Sequence, residues 1–480
     1  MLVVFFLKSC IIEAETINRY IPKERNGIKM DKNLVMARKI AEAVAKEGGR
    51  TFFVGGLVRD KILGKENKDV DIEIHNITPE TLRSILERLG NVQTIGESFG
   101  ILNLKGFEID IAQPRSEKAT GRGHRDFEVF VDPFIGFENA CKRRDFTINA
   151  LMEDVLTGEV LDFFGGLEDL KNGVIRHVND ETFAEDSLRV LRACQFSSRF
   201  GFTIAPETIE LSRKMDISTL ARERIWGELQ KALLKGKKPS IFFEELRKMN
   251  QLSVWFPEVE VLQNVEQNIQ FHPEGNVWNH TMMVLDVATI LKAQSSNPEA
   301  FMLTALCHDF GKIVATKEVD GVLRALQHET LGLPIIEKFL DRVVNEVKIK
   351  KFVLNMTELH MSPNQCFANK SKFKTTNRLF DSSVCPRDLV LFAEADHMGR
   401  LNPSDFTEIK TWLLDRVEHF EELQKKPEVQ GRDLVQAGLK PGPHFTEALK
   451  LAHQLFTAEV TFEKALPQVI AEAKRKERKA

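Results

Sequence analysis

The stretch FVGGLVRDKILGKENKDVDIEI, Phe53 to Ile74, decides how this chain is to be read. An apolar run ends at Gly55 and Gly56, and a helix-like segment opens with Leu57, Val58, Arg59 and Asp60. After a loop rich in Lys and Asp, an extended run returns carrying Asp69 and Asp71. Acids inside an apolar strand are unfavourable unless something charged meets them. Glycines without Cβ atoms let backbone N–H groups approach an anion closely, and a helix start adds its positive dipole end. That favours phosphate. Asp69 and Asp71 stand two apart, so on a strand both project from one face. Two hard oxygen ligands suit Mg²⁺, which keeps waters and substrate phosphates as its other ligands. Either motif alone is common in turns and strand edges; the strand–turn–helix–strand context points to metal-assisted phosphoryl or nucleotidyl transfer.

These residues carry a resemblance. GGLVRDKILG followed by DVDIEI is similar to the head of the class II nucleotidyltransferases, the bacterial tRNA CCA-adding enzymes and poly(A) polymerases. Asp110, in FEIDIA, stands either as a further acid beside the pair or as a strand-edge residue. The resemblance makes Gly55, Gly56 and Arg59 nucleotide-binding residues, and it continues into KRRDFTINAL, where it implies that Arg143, Arg144, Asp145 and Asn149 contact the ribose and triphosphate. Arginine forks suit phosphate oxygens.

Outward from that head, 480 residues exceed what one core serves, and two to four domains are expected. Charged residues make up 29% and hydrophobic ones 42%, an ordinary globular balance that excludes wholesale disorder. The formal net charge is −3, so any nucleic-acid partner has to be held by a local basic surface. The cysteines show no CxxC pair or regular spacing, which reads as reduced thiols in a cytoplasmic protein. MLVVFFL at the start fits neither a signal peptide nor a membrane span, and Met30 offers an alternative start.

The expected fold class is α+β, a small mixed α/β nucleotidyltransferase head followed by a long all-α body, in which His280, His308, Asp309 and Asp396 resemble the ligand set of an HD domain. Expected boundaries are an N-terminal extension over 1–34, the head over 35–168, a helical neck over 169–256, the HD domain over 257–426 and a helical basic tail over 427–480. In DKNLVMARKIAEAVAKEGG, Leu34, Ala37, Ala41 and Val44 form an apolar helical stripe, with Asp31 and Gly48 as caps.

In AEDSLRVLRACQF, the spacing of Asp186, Arg189 and Arg192 predicts a row along one side of a helix. A carboxylate accepts hydrogen bonds and a guanidinium donates them. Cytosine and adenine both present an amino donor beside a ring-nitrogen acceptor, which Asp186 and Arg189 match, whereas uracil and guanine show the reverse pattern. The bland alternative is an intrahelical ion pair. The segment resembles the family's EDxxR amino-acid template, with Glu185 first, and RIWGE, Arg224 to Glu228, is similar to the RxxxE element that braces it. GRGHRDFEVF falls where the family has a flexible loop that helps switch specificity from C to A.

The second half supplies His280 in NHTMMVLD, His308 and Asp309 in LCHDFGK, and Asp396 in FAEADHMGR. Imidazoles with carboxylates suit Ni²⁺, Mn²⁺ or a similar transition metal better than Mg²⁺. The set resembles the H…HD…D ligands of HD phosphohydrolases, and His328 and His360 fall where some HD domains supply a second metal. The resemblance implies phosphatase or 2′,3′-cyclic phosphodiesterase activity, with Lys312 available to steady a phosphate. The basic end KRKERK resembles the family's tail. Together these readings predict CCA addition to a tRNA 3′ end from CTP and ATP, with Mg²⁺ in the head and no membrane partner. The rivals are an enzyme adding only CC or only A, a poly(A) polymerase, or a metal phosphohydrolase with an RNA-binding head.

Overall fold

The computed structural model describes residues 31–95, 101–119 and 127–477. Residues 1–30 of the expected N-terminal extension and the Gly121–Asp126 part of the expected specificity loop lie outside them; residues 32–34 belong to the first helix. The chain divides into two compact units, one ending at Lys142 and including Asn149–Phe164, the other made of Arg143–Ile148 and everything from Gly165.

In the first unit, α1 (Lys32–Lys46) is capped by the Asp31 carboxylate, which accepts the Asn33 N–H at 2.8 Å. Its buried stripe is Met36, Ala37, Ile40, Ala41 and Val44. Leu34, expected in that stripe, is 42% exposed, because the face that meets the sheet is centred about one residue further round. Strand β1 (Arg50–Val54) leads into α2 (Gly56–Ile62), and β2 (Val70–His75) follows. The helix α3 (Pro79–Leu89) precedes β3 (Val92–Ile95), β4 (Ile101–Leu104) and β5 (Ile109–Ala112). With Met152–Asp154 and Val160–Leu161 these strands make a seven-stranded sheet, in which β2 lies between antiparallel β1 and parallel β5. Val70, Ile72 and Ile74 point into a core with Ile109, Ile111, Ile40 and Val44. Period-two alternation therefore turns the residues between them, Asp71 included, to the other face.

The second unit is mainly helical, as expected. It adds two short two-stranded ribbons to what sequence periodicity presented as all-α. One is parallel, Val174–Ile175 with Thr203–Ile204; the other is the hairpin Thr316–Val319 and Val322–Ala325. The hairpin turns at Asp320 and Gly321, with φ of 54° and 73°, a pairing suited to a tight two-residue turn. The end of the chain has its own core, including Leu434, Phe445, Ala448, Val469 and Ala473. Among the described residues no helix is long and apolar enough to cross a membrane.

Two helices of this unit, α4 (Val277–Leu291) and α5 (Pro386–Met398), pack so closely that Gly399 at the end of α5 abuts Val284. A Cβ added at Gly399 would stand 2.3 Å from Val284 Cγ2 and 2.6 Å from its Cα. Gly399→Ala is therefore expected to push the helices apart and to lower stability by about 1–3 kcal/mol, as overpacking does. Chemical denaturation checks it, and an unchanged midpoint would show that the crossing can relax.

Candidate active sites

In the head, Gly55 caps α2 with φ 65° and ψ −126°, a conformation that favours glycine. The carboxylate pair sits where expected, with one refinement: Asp71 lies inside β2, and Asp69 immediately precedes it. Parallel pairing sets Asp71 opposite Asp110 on β5, so Asp110 joins the pair on the same face instead of standing alone at an edge. Asp69 and Asp110 are exposed and Asp71 is half-buried. Solvent-facing hard oxygens on neighbouring strands fit an Mg²⁺ site that is completed by waters and substrate phosphates.

A buried relay supports this edge. Arg59 donates through Nε to Asp60 Oδ1 at 2.8 Å and through Nη1 to Asn149 Oδ1 at 2.6 Å. Asp60 Oδ2 accepts from Asn67 Nδ2 at 2.9 Å, and Asn67 Oδ1 accepts the Asp69 N–H at 3.0 Å. Two of the expected nucleotide-binding residues, Arg59 and Asn149, thus bond to one another and steady the loop that delivers Asp69. Arg59 is only 3% exposed, which suits a brace.

Arg143, Arg144, Asp145, Asp186, Arg189 and Arg192, also expected to bind nucleotide, belong to the helical unit. Arg143 and Arg144 are half-buried, and the Arg143 carbonyl accepts from Arg189 Nη2 at 2.8 Å. Asp145 takes the Arg192 fork through Nε and Nη2 at 2.8 and 2.7 Å. Arg189 also donates to the Thr182 carbonyl. The helix of this segment runs Leu188–Phe200, so Asp186 precedes it and is not part of a helical row with Arg189 and Arg192. Its Oδ1 accepts the Leu188 N–H at 3.1 Å, and its Oδ2 pairs with Arg224 at 2.8 Å. The intrahelical ion pair is not what forms. Arg224 and Glu228 do brace the segment, since Glu228 lies 3.8 Å from Arg192.

The other cluster is buried. His280 lies on α4, His308 caps Pro298–Cys307, His328 opens a short helix, His360 caps Val347–Leu359, and Asp396 lies on α5. Their ligand atoms converge: His280 Nε2 stands 3.0 Å from Asp396 Oδ1, and His308 Nε2 stands 3.3 Å from Asp309 Oδ2. On the other side of Asp309, Oδ1 is 3.3 Å from His328 Nε2, which is 3.2 Å from His360 Nε2. Two pockets, His280–His308–Asp309 and Asp309–His328–His360, therefore share one carboxylate.

Three of the rings are aimed by the same local device. His308, His328 and His360 each set Nδ1 on the carbonyl three residues earlier, Ala305, Ala325 and Thr357, at 3.1, 2.8 and 2.6 Å. A donor N–H there leaves the Nε2 lone pair inward, the arrangement metal-ligating imidazoles use. Buried His308 Nε2 has no hydrogen bond within the protein. Burial, reinforced by His308 and His328, pushes His360 down to about 3, so its imidazole is neutral at pH 7. Burial works against ionised Asp309, yet Lys312 and His308 hold it well below the usual carboxylate range; His280 does the same for Asp396. Clustered imidazoles around ionised carboxylates fit a transition metal. Lys312 is occupied at 2.7 Å from both Asp309 Oδ2 and Gln267 Oε1, instead of waiting for a phosphate.

His272 and Glu274 are functional candidates that sequence reasoning passed over. Glu274 Oε1 accepts from His272 Nδ1 at 2.9 Å and stands 3.0 Å from His280 Nδ1, off the direction of an aligned hydrogen bond. Its Oε2 accepts the Leu401 N–H at 3.3 Å, just beyond the helix that carries Asp396. Glu274 thus ties together the two ligand-bearing helices. The only signal in sequence was the compact HPEGN turn ahead of His280.

A head with acids on neighbouring strands, joined in one chain to a buried His/Asp cluster, defines a metal-dependent phosphoryl-transfer enzyme of the nucleotidyltransferase–HD class. Residues 51–176 match the Poly A polymerase head domain, 201–262 the "Probable RNA and SrmB- binding site of polymerase A", and 277–397 the HD domain. Over 362 residues the chain is 35% identical to a multifunctional CCA protein of Haemophilus ducreyi, covering 73% of this chain and 85% of the relative. The Aliivibrio salmonicida protein of the same description is 32% identical over 83% of this chain and 96% of its own. The chain belongs to the multifunctional CCA protein family. Its fold is similar to an apo CCA-adding enzyme structure (TM-score 0.63, 20% identity, 91% of this chain and 95% of that one). It is also similar to a Thermotoga maritima CCA-adding enzyme complexed with tRNA (TM-score 0.58, 19% identity, 92% and 96%).

Glu274→Ala is expected to weaken transition-metal binding to the buried cluster by roughly 10–100-fold, the usual effect of removing an outer-shell partner. Equilibrium dialysis with Ni²⁺ or Mn²⁺ measures it on the full chain. Wild-type affinity would assign Glu274 to local packing alone.

Proposed function

We propose that this enzyme adds C, C and A to the 3′ end of tRNA from CTP and ATP, and that its HD domain hydrolyses phosphate esters at such ends. What carries the reading is family membership at 35% identity, in a chain that holds both chemistries. In the head, Asp69 and Asp71, with Asp110 beside them, would hold Mg²⁺, which supplies charge neutralisation at the triphosphate when bound. Gly55 and Gly56 leave room for phosphate at the start of α2. The RNA 3′ hydroxyl attacks the α-phosphorus, and pyrophosphate leaves.

Base choice falls to Asp186 and Arg189. A carboxylate offers about four acceptor positions, and Asp186 has lone pairs left after Arg224 and the Leu188 N–H are served. Arg143, Arg144, Asp145, Asn149 and Arg192 would shape the triphosphate and ribose side. In the HD domain, His280, His308, Asp309 and Asp396 would hold one transition metal, and His328 and His360 a second with Asp309. That site suits a phosphatase or 2′,3′-cyclic phosphodiesterase, which would clean a blocked 3′ end before addition. The described cysteines, Cys141 and Cys307 among them, are unbridged, which supports a cytoplasmic setting.

Three experiments test this. Asp69→Ala or Asp71→Ala should slow extension of trimmed tRNA about 1,000-fold, as loss of several kcal/mol of charge stabilisation implies; undiminished extension would place the chemistry elsewhere. Asp186→Ala and Arg189→Ala should give up roughly 10–100-fold of the preference for CTP and ATP over GTP and UTP. For the HD domain, a chelator should abolish turnover of a 2′,3′-cyclic phosphate, and Ni²⁺ or Mn²⁺ should restore it. Indifference to both would remove the hydrolase.

A further inference from the structure

A chain of formal net charge −3 that handles RNA needs a local cationic surface. Two of the described cations near the C-terminus already have carboxylate partners. Arg475 is held by Glu472 through two bonds of 2.6 and 2.7 Å, and Lys476 lies 3.9 Å from Glu447.

A better surface lies elsewhere. From Met361 to Phe380 the chain has no acidic residue, and its cations are Lys370, Lys372, Lys374 and Arg378. Lys372 precedes the helix Phe373–Ser382, and Lys374 and Arg378 stand one turn apart on it, all exposed. None of these three has a carboxylate partner among the described residues. Lys370 sits 3.6 Å over the Phe367 ring and only 3.8 Å from Glu408. Asp381, the next acid along, is taken up by His453 at 2.6 Å.

The arrangement goes against local preference. The first turn of this helix carries no acid, and the Lys372 side chain makes no capping bond. A helix start disfavours cations because its own N–H groups already present positive charge. Departures from a local rule without an internal compensation concentrate at functional sites.

Arg416 supplies an independent observation. It lies on the helix Thr407–Leu423, which packs against Phe373–Ser382. Its guanidinium covers the Phe373 ring at 3.8 Å and the Trp412 ring at 4.6 Å, and Phe373 stacks on His419 at 3.8 Å. Its Nε is buried without a hydrogen bond, and among the described residues no carboxylate pairs with it. Aromatic faces fix the plane of a guanidinium without consuming its N–H donors. Two acids of its own helix, Asp415 and Glu418, are one and two residues away in sequence and turn to other sides of that helix, where Glu418 interacts with Arg387.

We propose that Lys372, Lys374, Arg378 and Arg416 form a docking surface for an RNA sugar–phosphate backbone, and that the tRNA substrate is its occupant. Naming tRNA rests on the proposed function; the surface itself rests on charge and geometry. Contacts of this kind read shape and phosphate spacing, not base sequence.

The test compares the wild-type full chain with the triple variant Lys372→Ala, Lys374→Ala, Arg378→Ala, and with Arg416→Met, which keeps the bulk over the rings and removes the charge. Binding of tRNA lacking its CCA is titrated without nucleotides across a salt series, so the readout does not depend on extension. Each lost phosphate contact should flatten the slope of log affinity against log salt by about 0.7–0.9. For the triple variant we expect a slope shallower by about 2 and an affinity lower by at least about tenfold near 0.1 M salt. Arg416→Met should flatten it by a little under 1. Thermal unfolding and hydrolysis of a small phosphate ester should stay at the wild-type level, separating docking from fold and chemistry. Wild-type slope and affinity in both variants would overturn the surface, as would variants that bind tRNA normally and lose an acidic protein partner instead. Failure of the wild type to extend tRNA in a separate assay would instead count against the proposed function.

Discussion

A carboxylate taken out of water has to be met by cations and N–H donors, and the helical unit is organised around one such group, Asp309. At 1% exposure it faces His308, His328 and Lys312 at once. Removing one partner of a buried charge is far more damaging than never having buried it. The surrounding backbone is accordingly tight. A Cβ at Gly311 would lie 1.8 Å from the His328 carbonyl oxygen, so the segment carrying His308 and Asp309 touches the start of the His328 helix backbone to backbone. That contact is what sets Asp309 between two pockets.

The head follows the same constraint on a smaller scale. Asp60, buried beside Arg59, is compensated by it and by Asn67, and the bonds run on to Asp69 at the exposed edge. Interior ion pairs here act as supports for acids that stand open to solvent. The two sites differ in chemistry for this reason. The head presents exposed oxygens, which suit a metal that arrives with its nucleotide. The HD cluster presents buried nitrogens and oxygens, which suit a resident ion.

Much of this was legible in sequence. The order of the motifs, the glycine pair, the DxD spacing and the H…HD…D set all depend on residue type and short separations. Three readings were not. Asp186 looked like part of a helical row, because spacing alone does not reveal that the helix begins two residues later. The bond between Arg59 and Asn149, 90 residues apart, had no local signal. Glu274 carried no motif, since its importance comes from touching His280 and Leu401.

What the amino-acid sequence by itself determined is the chemistry on offer: which acids, imidazoles and guanidinia exist and on which kind of element each sits. Those are local properties, set by propensity and by periods of two or 3.6 residues. What only tertiary structure decided is which of them meet. Strand register placed Asp110 opposite Asp71, helix packing at Gly399 brought the helices of His280 and Asp396 together, and ring contacts oriented Arg416. Each of these is a contact between segments distant in the chain, and side-chain volume and backbone approach, which select such contacts, leave no periodic trace in a sequence.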